Sequence, residues 1–100
     1  MKTFADCLRE DRRLVILRIL SEQPGYRLNS SNLHAGLHHL GVAASRDDVV
    51  TDIHWLRDQS LLQLEDLEIT NLYLCTLTAR GGDVACGNAR VPGVSRPTPR

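Results

Sequence analysis

The sequence is poor in aromatic residues and cysteines and has no long apolar run. One Trp, two Tyr and one Phe make up 4% of its 100 residues, so the core must consist mainly of Leu, Val and Ile. Three scattered cysteines without a CxxC pair exclude a disulfide framework and indicate reduced thiols. No apolar run approaches the roughly 20 residues of a membrane span, and the charged N-terminus does not resemble a secretory signal. We therefore expect a cytoplasmic protein without a membrane segment.

The sequence also lacks a net charge. Twelve Lys and Arg residues balance twelve Asp and Glu residues, so the whole chain has no general attraction to nucleic acid or to an anionic membrane. Apolar residues make up 42% and charged residues 24%, which is ordinary for one globular domain of this length. Any contact with nucleic acid must depend on where individual basic side chains lie.

Sequence motifs for catalysis are absent as well. The chain has no phosphate-binding glycine loop, no HExxH motif and no nucleophile elbow. His34 and His38 have the i, i+4 spacing that can hold zinc, and His39 is adjacent, but no Cys or Glu completes a site locally. We expect these histidines to lie at the surface or to face phosphate. We expect no enzyme activity, metal, cofactor or small-molecule substrate.

Three helices are predicted in the first 60 residues. Residues 5–21 and 29–41 carry apolar side chains at helical spacing, and Pro and Gly residues follow the first segment and stop it. The third segment, residues 45–59, begins at Ser45 with Asp48 in a capping-box position. Acidic residues in its first turn suit the helix dipole.

Period-two patterns predict two strands after the helices. Leu62 and Leu64 alternate with Gln63 and Glu65. Leu72, Leu74 and Thr76 alternate with Tyr73, Cys75 and Leu77. We expect a hairpin that packs Leu62, Leu64, Leu72 and Leu74 against the helices, because an isolated hairpin would be marginally stable.

The order of elements predicts a mainly α fold with a small β hairpin. Three helices followed by a hairpin form a winged helix-turn-helix, with a three-helix bundle and a two-stranded wing. A short C-terminal helix is predicted from Thr78, which gives a domain of residues 1–87. Residues 88–100 hold three prolines, three arginines and no acid, so we expect a disordered basic tail there.

The stretches "SRDDVVTDIHWLRDQSLLQLED" and "LYLCTLTARGGDVACG" resemble the second half of bacterial winged-helix regulators of the ArsR and MarR type. In those families the reading helix ends in Leu, a small residue and further apolar residues, and the wing returns into an LTxxG motif. Leu56, Ser60, Leu61 and residues 77–81 occupy these places, with Ser60 where Gly is usual. The resemblance covers residues 5–87 and extends to small winged-helix proteins of Mu-like prophages.

The resemblance implies a transcriptional regulator of phage or bacterial origin that reads double-stranded DNA with helix 45–59. Arg46 would bind guanine or phosphate, and Thr51 and His54 would reach base edges or phosphates. Asp47 would repel phosphate unless it accepts from a cytosine amino group. The candidate DNA-binding residues are Arg27, Ser31, Arg46, Asp47, Val50, Thr51 and His54.

Acidic residues favour an alternative hypothesis. The third helix carries four Asp against two Arg, and no Lys or Arg lies between Arg57 and Arg80. Three acids lie near the hairpin tip, where minor-groove wings usually carry basic residues: Glu65, Asp66 and Glu68. The alternative is a winged-helix protein-protein interaction module whose acidic wing and third helix bind a protein partner.

The first helix bears on the oligomeric state. Residues 14–20 are apolar except for Arg18. One face of a helix cannot bury all six apolar side chains against a single core. The extra face would pack in a homodimer, the usual state of such regulators, or be buried all round in a monomer. We expect Arg12 and Arg13 to pair with acids of their own helix, and Trp55 to pack where the third helix meets the wing.

Overall fold

The computed structural model describes residues 1–97 and contains four helices and a three-stranded antiparallel sheet with strand order β1-β3-β2. The elements are α1 (Phe4–Ser21), β1 (Arg27–Asn29), α2 (Ser30–His39), α3 (Arg46–Asp58), β2 (Leu62–Asp66), β3 (Tyr73–Leu77) and α4 (Ala79–Cys86), with a 3-10 turn at Pro24–Tyr26. The fold is thus mixed α/β. The sequence prediction missed β1, because three residues are too few to show a period-two pattern.

All four helices begin at a side-chain cap. Ser45 and Asp48 form the predicted capping box of α3, with 3.0 Å bonds in both directions between side chain and backbone. The short helix predicted from Thr78 is α4, and Thr78 is its cap. Thr3 caps α1, and Asn29 accepts from the backbone N–H of Asn32 at 2.7 Å to start α2. Each cap satisfies an amide that the helix itself leaves unpaired.

The side chains of β3 that face the helices are not the ones that the sequence predicted. Leu28 and Leu64 both pair with Cys75, which is fully buried. Cys75 and its odd-numbered neighbours therefore face the helices, while Leu74 lies on the outer face of the sheet. The expected inward placement of Leu74 was wrong, because both phases of this strand carry apolar residues and the alternation does not select one.

The second half of helix α1 is buried by the rest of the chain, whereas Phe4 and Leu8 in its first half are 78% and 51% exposed. Its core side chains are Leu14, Ile16, Leu17, Ile19 and Leu20, none of which is more than 8% exposed. The helix packs against α2, α3, α4 and β3, so its surplus apolar residues are covered within one chain. The apolar run therefore gives no support to a homodimer, which remains a prediction. Within residues 1–97, no helix has the combination of length and apolarity needed to cross a membrane.

The segment that follows α4 packs on the core. Val91 and Val94 are 3% and 6% exposed, and the Ser95 N–H donates to the Glu10 carbonyl at 3.3 Å. Gly93 lies so close to Trp55 that a Cβ there would come within 2.6 Å of the indole. The predicted disorder is therefore wrong for residues 88–97, because two valines outweigh the Pro-rich composition. The rest of the predicted tail, residues 98–100, lies outside the described residues.

Candidate nucleic-acid interface

A groove of about 550 Å³ lies where the first turns of α2 and α3 meet the turn of the β2–β3 hairpin. Most of the side chains that line it are polar, and they come from three separate parts of the sequence. The lining residues are Asn29, Ser30, Ser31, Asn32, His34, Arg46, Asp47, Val49, Val50, Ile69, Thr70, Asn71 and Leu72. We call this feature the interhelical groove.

The structure brings four of the seven candidate DNA-binding residues together at the interhelical groove. Ser31 lies in the first turn of α2, and Arg46, Asp47 and Val50 lie in the first turns of α3. Arg46 and Asp47 are exposed, whereas Val50 is half-buried. Thr51 follows Val50 on α3 and is exposed, but it does not line the groove.

Arg27 and His54 also lie outside the groove. Arg27 pairs with Thr76 in the sheet, on the face turned away from the buried Cys75. His54 is half-buried and its Nδ1 donates to the Val50 carbonyl at 2.8 Å. Its ring meets that of Tyr73 edge-on, with centroids 4.8 Å apart. The structural contacts of His54 account for its placement without a ligand.

Ser30 joins α2 to the hairpin beside the groove. Its hydroxyl accepts from the Tyr73 N–H at 3.1 Å and donates to the Asn71 carbonyl at 3.4 Å. Asn71 has a left-handed φ of 56°, a conformation that Asn adopts more readily than most residues. This role of Ser30 was not predicted from the sequence, because its partners lie more than 40 residues away.

His34 joins α2 to the connection that precedes α3. Its Nε2 lies 2.9 Å from the Ala44 carbonyl. A carbonyl only accepts, so Nε2 must carry the hydrogen. This bond holds the two helices of the candidate helix-turn-helix in one arrangement. His38 and His39 are exposed, and within residues 1–97 no three His, Cys, Asp or Glu side chains cluster closely enough to hold a metal ion.

Two of the four α3 carboxylates have structural partners on α1. Asp52 is fully buried and accepts from Nε of Arg12 and, at 3.3 Å, from Nε of Arg13. Both arginines thus pair across to α3, and the expectation that they pair within their own helix was wrong. The Ser45 backbone N–H holds the pKa of Asp48 below its ordinary value, and Arg12, 3.9 Å away, acts in the same direction.

The other two carboxylates differ from each other. Asp58 pairs with Arg57 at 3.1 Å on the exposed end of α3. Asp47, at the groove, takes part in no salt bridge among residues 1–97, and neither does Arg46. The sequence tally of four acids against two bases therefore overstates the negative charge at the groove. Arg46 and Asp47 balance each other there.

The hairpin turn is acidic and exposes one large apolar side chain. Glu65, Asp66 and Glu68 are all exposed, and Asp66 accepts from the Glu68 N–H at 2.8 Å. Ile69 is 62% exposed and lines the groove. The acids were predicted from the sequence, but Ile69 was not, because Ile69 lies in a turn where no periodic pattern indicates its role.

Comparison with known proteins places the chain in a phage family. It is 50% identical over 95 residues to the uncharacterized protein gp26 of Escherichia phage Mu, across 95% of this chain and 96% of that protein. The chain belongs to the gp26 family. An uncharacterized protein of Haemophilus influenzae is 44% identical over 66 residues, which span 66% of this chain and 64% of that protein. The predicted kinship with proteins of Mu-like phages is thus confirmed.

Comparisons with protein-family models and with solved structures add nothing to this placement. No family model matches the chain, and no solved structure matches it. The likeness to ArsR and MarR regulators therefore stays a prediction from the sequence.

Proposed function

We propose that this gp26-family protein is a winged helix-turn-helix that binds double-stranded DNA and regulates phage transcription. In this proposal α2, the connection through Ala44 and α3 form the helix-turn-helix, and the β2–β3 hairpin forms the wing. The bond from His34 to Ala44 supports this assignment, because a reading helix must be held at a constant angle to the helix before it.

One observation carries the proposal: the first turns of α2 and α3 open into the same groove. Unpaired backbone amides at a helix N-terminus attract phosphate, and the N-terminal residues of a reading helix contact base edges. Arg46 is exposed at this position and takes part in no salt bridge among residues 1–97. It is therefore available to guanine or phosphate.

The charges around the groove predict modest affinity with weak salt dependence. Asp52 is neutralised by Arg12 and Arg13, so it does not repel phosphate as the sequence tally implied. Among residues 1–97, Arg46 is the only Arg or Lys that lines the groove. With about one phosphate neutralised per chain, the slope of log K against log salt should be about −1.

Fluorescence anisotropy with mixed-sequence duplex DNA across a salt series tests the proposal. We expect binding at low salt that weakens with the slope given above. Arg46→Ala should weaken it about tenfold. Arg18→Ala is the matched control, because Arg18 is also exposed but lies on α1 beside a different groove. Absence of binding at low salt, or equal binding by the wild type and Arg46→Ala, would contradict the proposal.

The acidic hairpin turn favours a second candidate function, a module that binds a protein partner. Glu65, Asp66 and Glu68 are exposed beside Ile69, a combination suited to a basic peptide with an apolar anchor. In this case an arginine-rich peptide containing Leu should bind the protein. Glu65→Gln combined with Glu68→Gln should abolish that binding, and Arg46→Ala should leave it unchanged.

A further inference from the structure

We infer that Arg46 and Asp47 together read G·C base pairs, with Arg46 donating to guanine and Asp47 accepting from the exocyclic amino group of cytosine. This inference rests on the proposed DNA binding and names the base preference of the same groove. Asp47 carries a negative charge on a surface that would meet phosphates, so a ligand group that donates to it is required.

Every other acid of α3 has a structural partner. Asp48 closes the capping box, Asp52 is buried between two arginines, and Asp58 pairs with Arg57. Asp47 is exposed, lines the groove and makes no salt bridge among residues 1–97. Its carboxylate is thus free to accept hydrogen bonds from a molecule in the groove.

The major groove offers few donors to a carboxylate. An ionised carboxylate only accepts, so phosphates, guanine O6 and guanine N7 all repel it. Cytosine presents its N4 amino group without an acceptor on the same edge, whereas adenine presents its N6 amino group beside the N7 acceptor. Asp47 therefore favours cytosine over adenine.

Arg46 completes the pair. A guanidinium donates two parallel bonds to guanine O6 and N7, the commonest specific contact in the major groove. Arg46 and Asp47 are consecutive in the first turn of α3 and both line the groove. Because consecutive helix residues point in different directions, they reach two neighbouring base pairs, and the opposite charges suit the acceptors of guanine and the donor of cytosine.

Selection from a random duplex library by the full chain, followed by sequencing, tests the inference. The wild type should enrich sites with G and C at fixed adjacent positions. Asp47→Asn should shift the cytosine position toward adenine, because an amide both donates and accepts and so matches adenine N6 and N7. Replacing cytosine by adenine in the selected duplex should weaken wild-type binding about tenfold, as measured by anisotropy.

Asp58→Asn is the matched control. It removes one negative charge from an exposed site at the other end of α3. Both variants should bind duplexes that lack the selected site somewhat more tightly, because each lowers repulsion from phosphates. Only Asp47→Asn should change the preferred base.

The outcomes separate the two proposals. Failure of the wild type to bind or enrich any duplex overturns the DNA-binding function and this inference with it. Salt-dependent binding without a cytosine preference, or the same preference in Asp47→Asn, overturns the inference alone. A lower melting temperature of Asp47→Asn with an unchanged base preference would show that Asp47 serves only the helix dipole, which also overturns it.

Discussion

Asp52 of α3 has no exposed surface, and its Oδ1 accepts a hydrogen bond from Nε of Arg13 on α1 at 3.3 Å. Arg12 donates to the other carboxylate oxygen. The guanidinium of Arg13 also lies 3.9 Å above the Trp55 ring and donates to the Gly93 carbonyl. This buried ion cluster links the candidate reading helix to α1 and to the segment after α4.

Asp52→Asn should lower the free energy of unfolding by about 3 kcal/mol or more, because the buried guanidinium of Arg13 and the half-buried guanidinium of Arg12 lose their counter-charge. Urea unfolding followed by circular dichroism measures this loss. Asp58→Asn serves as control and should change stability by less than about 1 kcal/mol, since its pair with Arg57 is exposed. Similar losses in the two variants would contradict the role assigned to Asp52.

Gly81 and Gly82 are adjacent in α4 but should respond in opposite directions to Ala. A Cβ at Gly81 would lie 2.1 Å from the Leu61 carbonyl oxygen, so Gly81→Ala must displace the backbone. We expect a loss of about 1–3 kcal/mol or more. At Gly82 the nearest atom is 3.9 Å away, so Ala should gain up to about 1 kcal/mol through helix propensity. Thermal unfolding of both variants gives the comparison, and equal melting temperatures would refute it.

Ser60 adopts a left-handed φ of 63° after α3, as its place in the regulator pattern suggested, since Gly is usual there. A side chain in this region is strained, so Ser60→Gly should raise the free energy of unfolding by about 0.5–1 kcal/mol. Ser60→Ala keeps the strain and should bring no gain. Chemical denaturation distinguishes the two, and a loss of stability in Ser60→Gly would contradict the argument.

Cys75 should make the fold sensitive to alkaline pH. Burial raises the pKa of Cys75 to about 12 from the ordinary value of 9.0. The unfolded chain therefore releases this proton first, and the stability contribution, complete below pH 9, falls between pH 9 and pH 12. The expected slope is about −1.4 kcal/mol per pH unit from this group.

Cys75→Ala is the comparison for that slope. It should be less stable near neutral pH because of the cavity it leaves, but it should lack the Cys75 part of the alkaline loss. Denaturant unfolding between pH 8 and pH 10 checks this, with Cys7 and Cys86, both exposed, present in each protein. Parallel pH profiles for the two proteins would show that Cys75 does not contribute.

The helices could be predicted from the sequence because their signals are local. The Ser45–Asp48 capping box and the Thr78 cap were both readable within four residues. The burial of Asp52 was also readable in principle. It lies three residues after Val49 and four before Leu56, on the apolar stripe of α3, but its charge led to the tally of exposed acids.

The missed features depend on parts of the chain that are distant in sequence. The phase of β3 follows from pairing with both β1 and β2, and β1 itself exists because β3 offers a free edge. The interhelical groove needs the hairpin turn beside α2, which the bonds of Ser30 establish across 41 and 43 residues. Composition and periodicity carry no signal for such contacts.

The packing of residues 91–95 has a consequence for the order of folding. The bond between Ser95 and Glu10 joins residues that are far apart in the sequence. Closing so long a loop costs conformational entropy, so we expect this contact to form late in folding. A nascent chain on the ribosome can form α1, α2 and α3 while the Trp55 surface still lacks its cover. Synthesis up to Ser95 is needed before that surface closes, so until then one face of the indole ring lacks its packing partner.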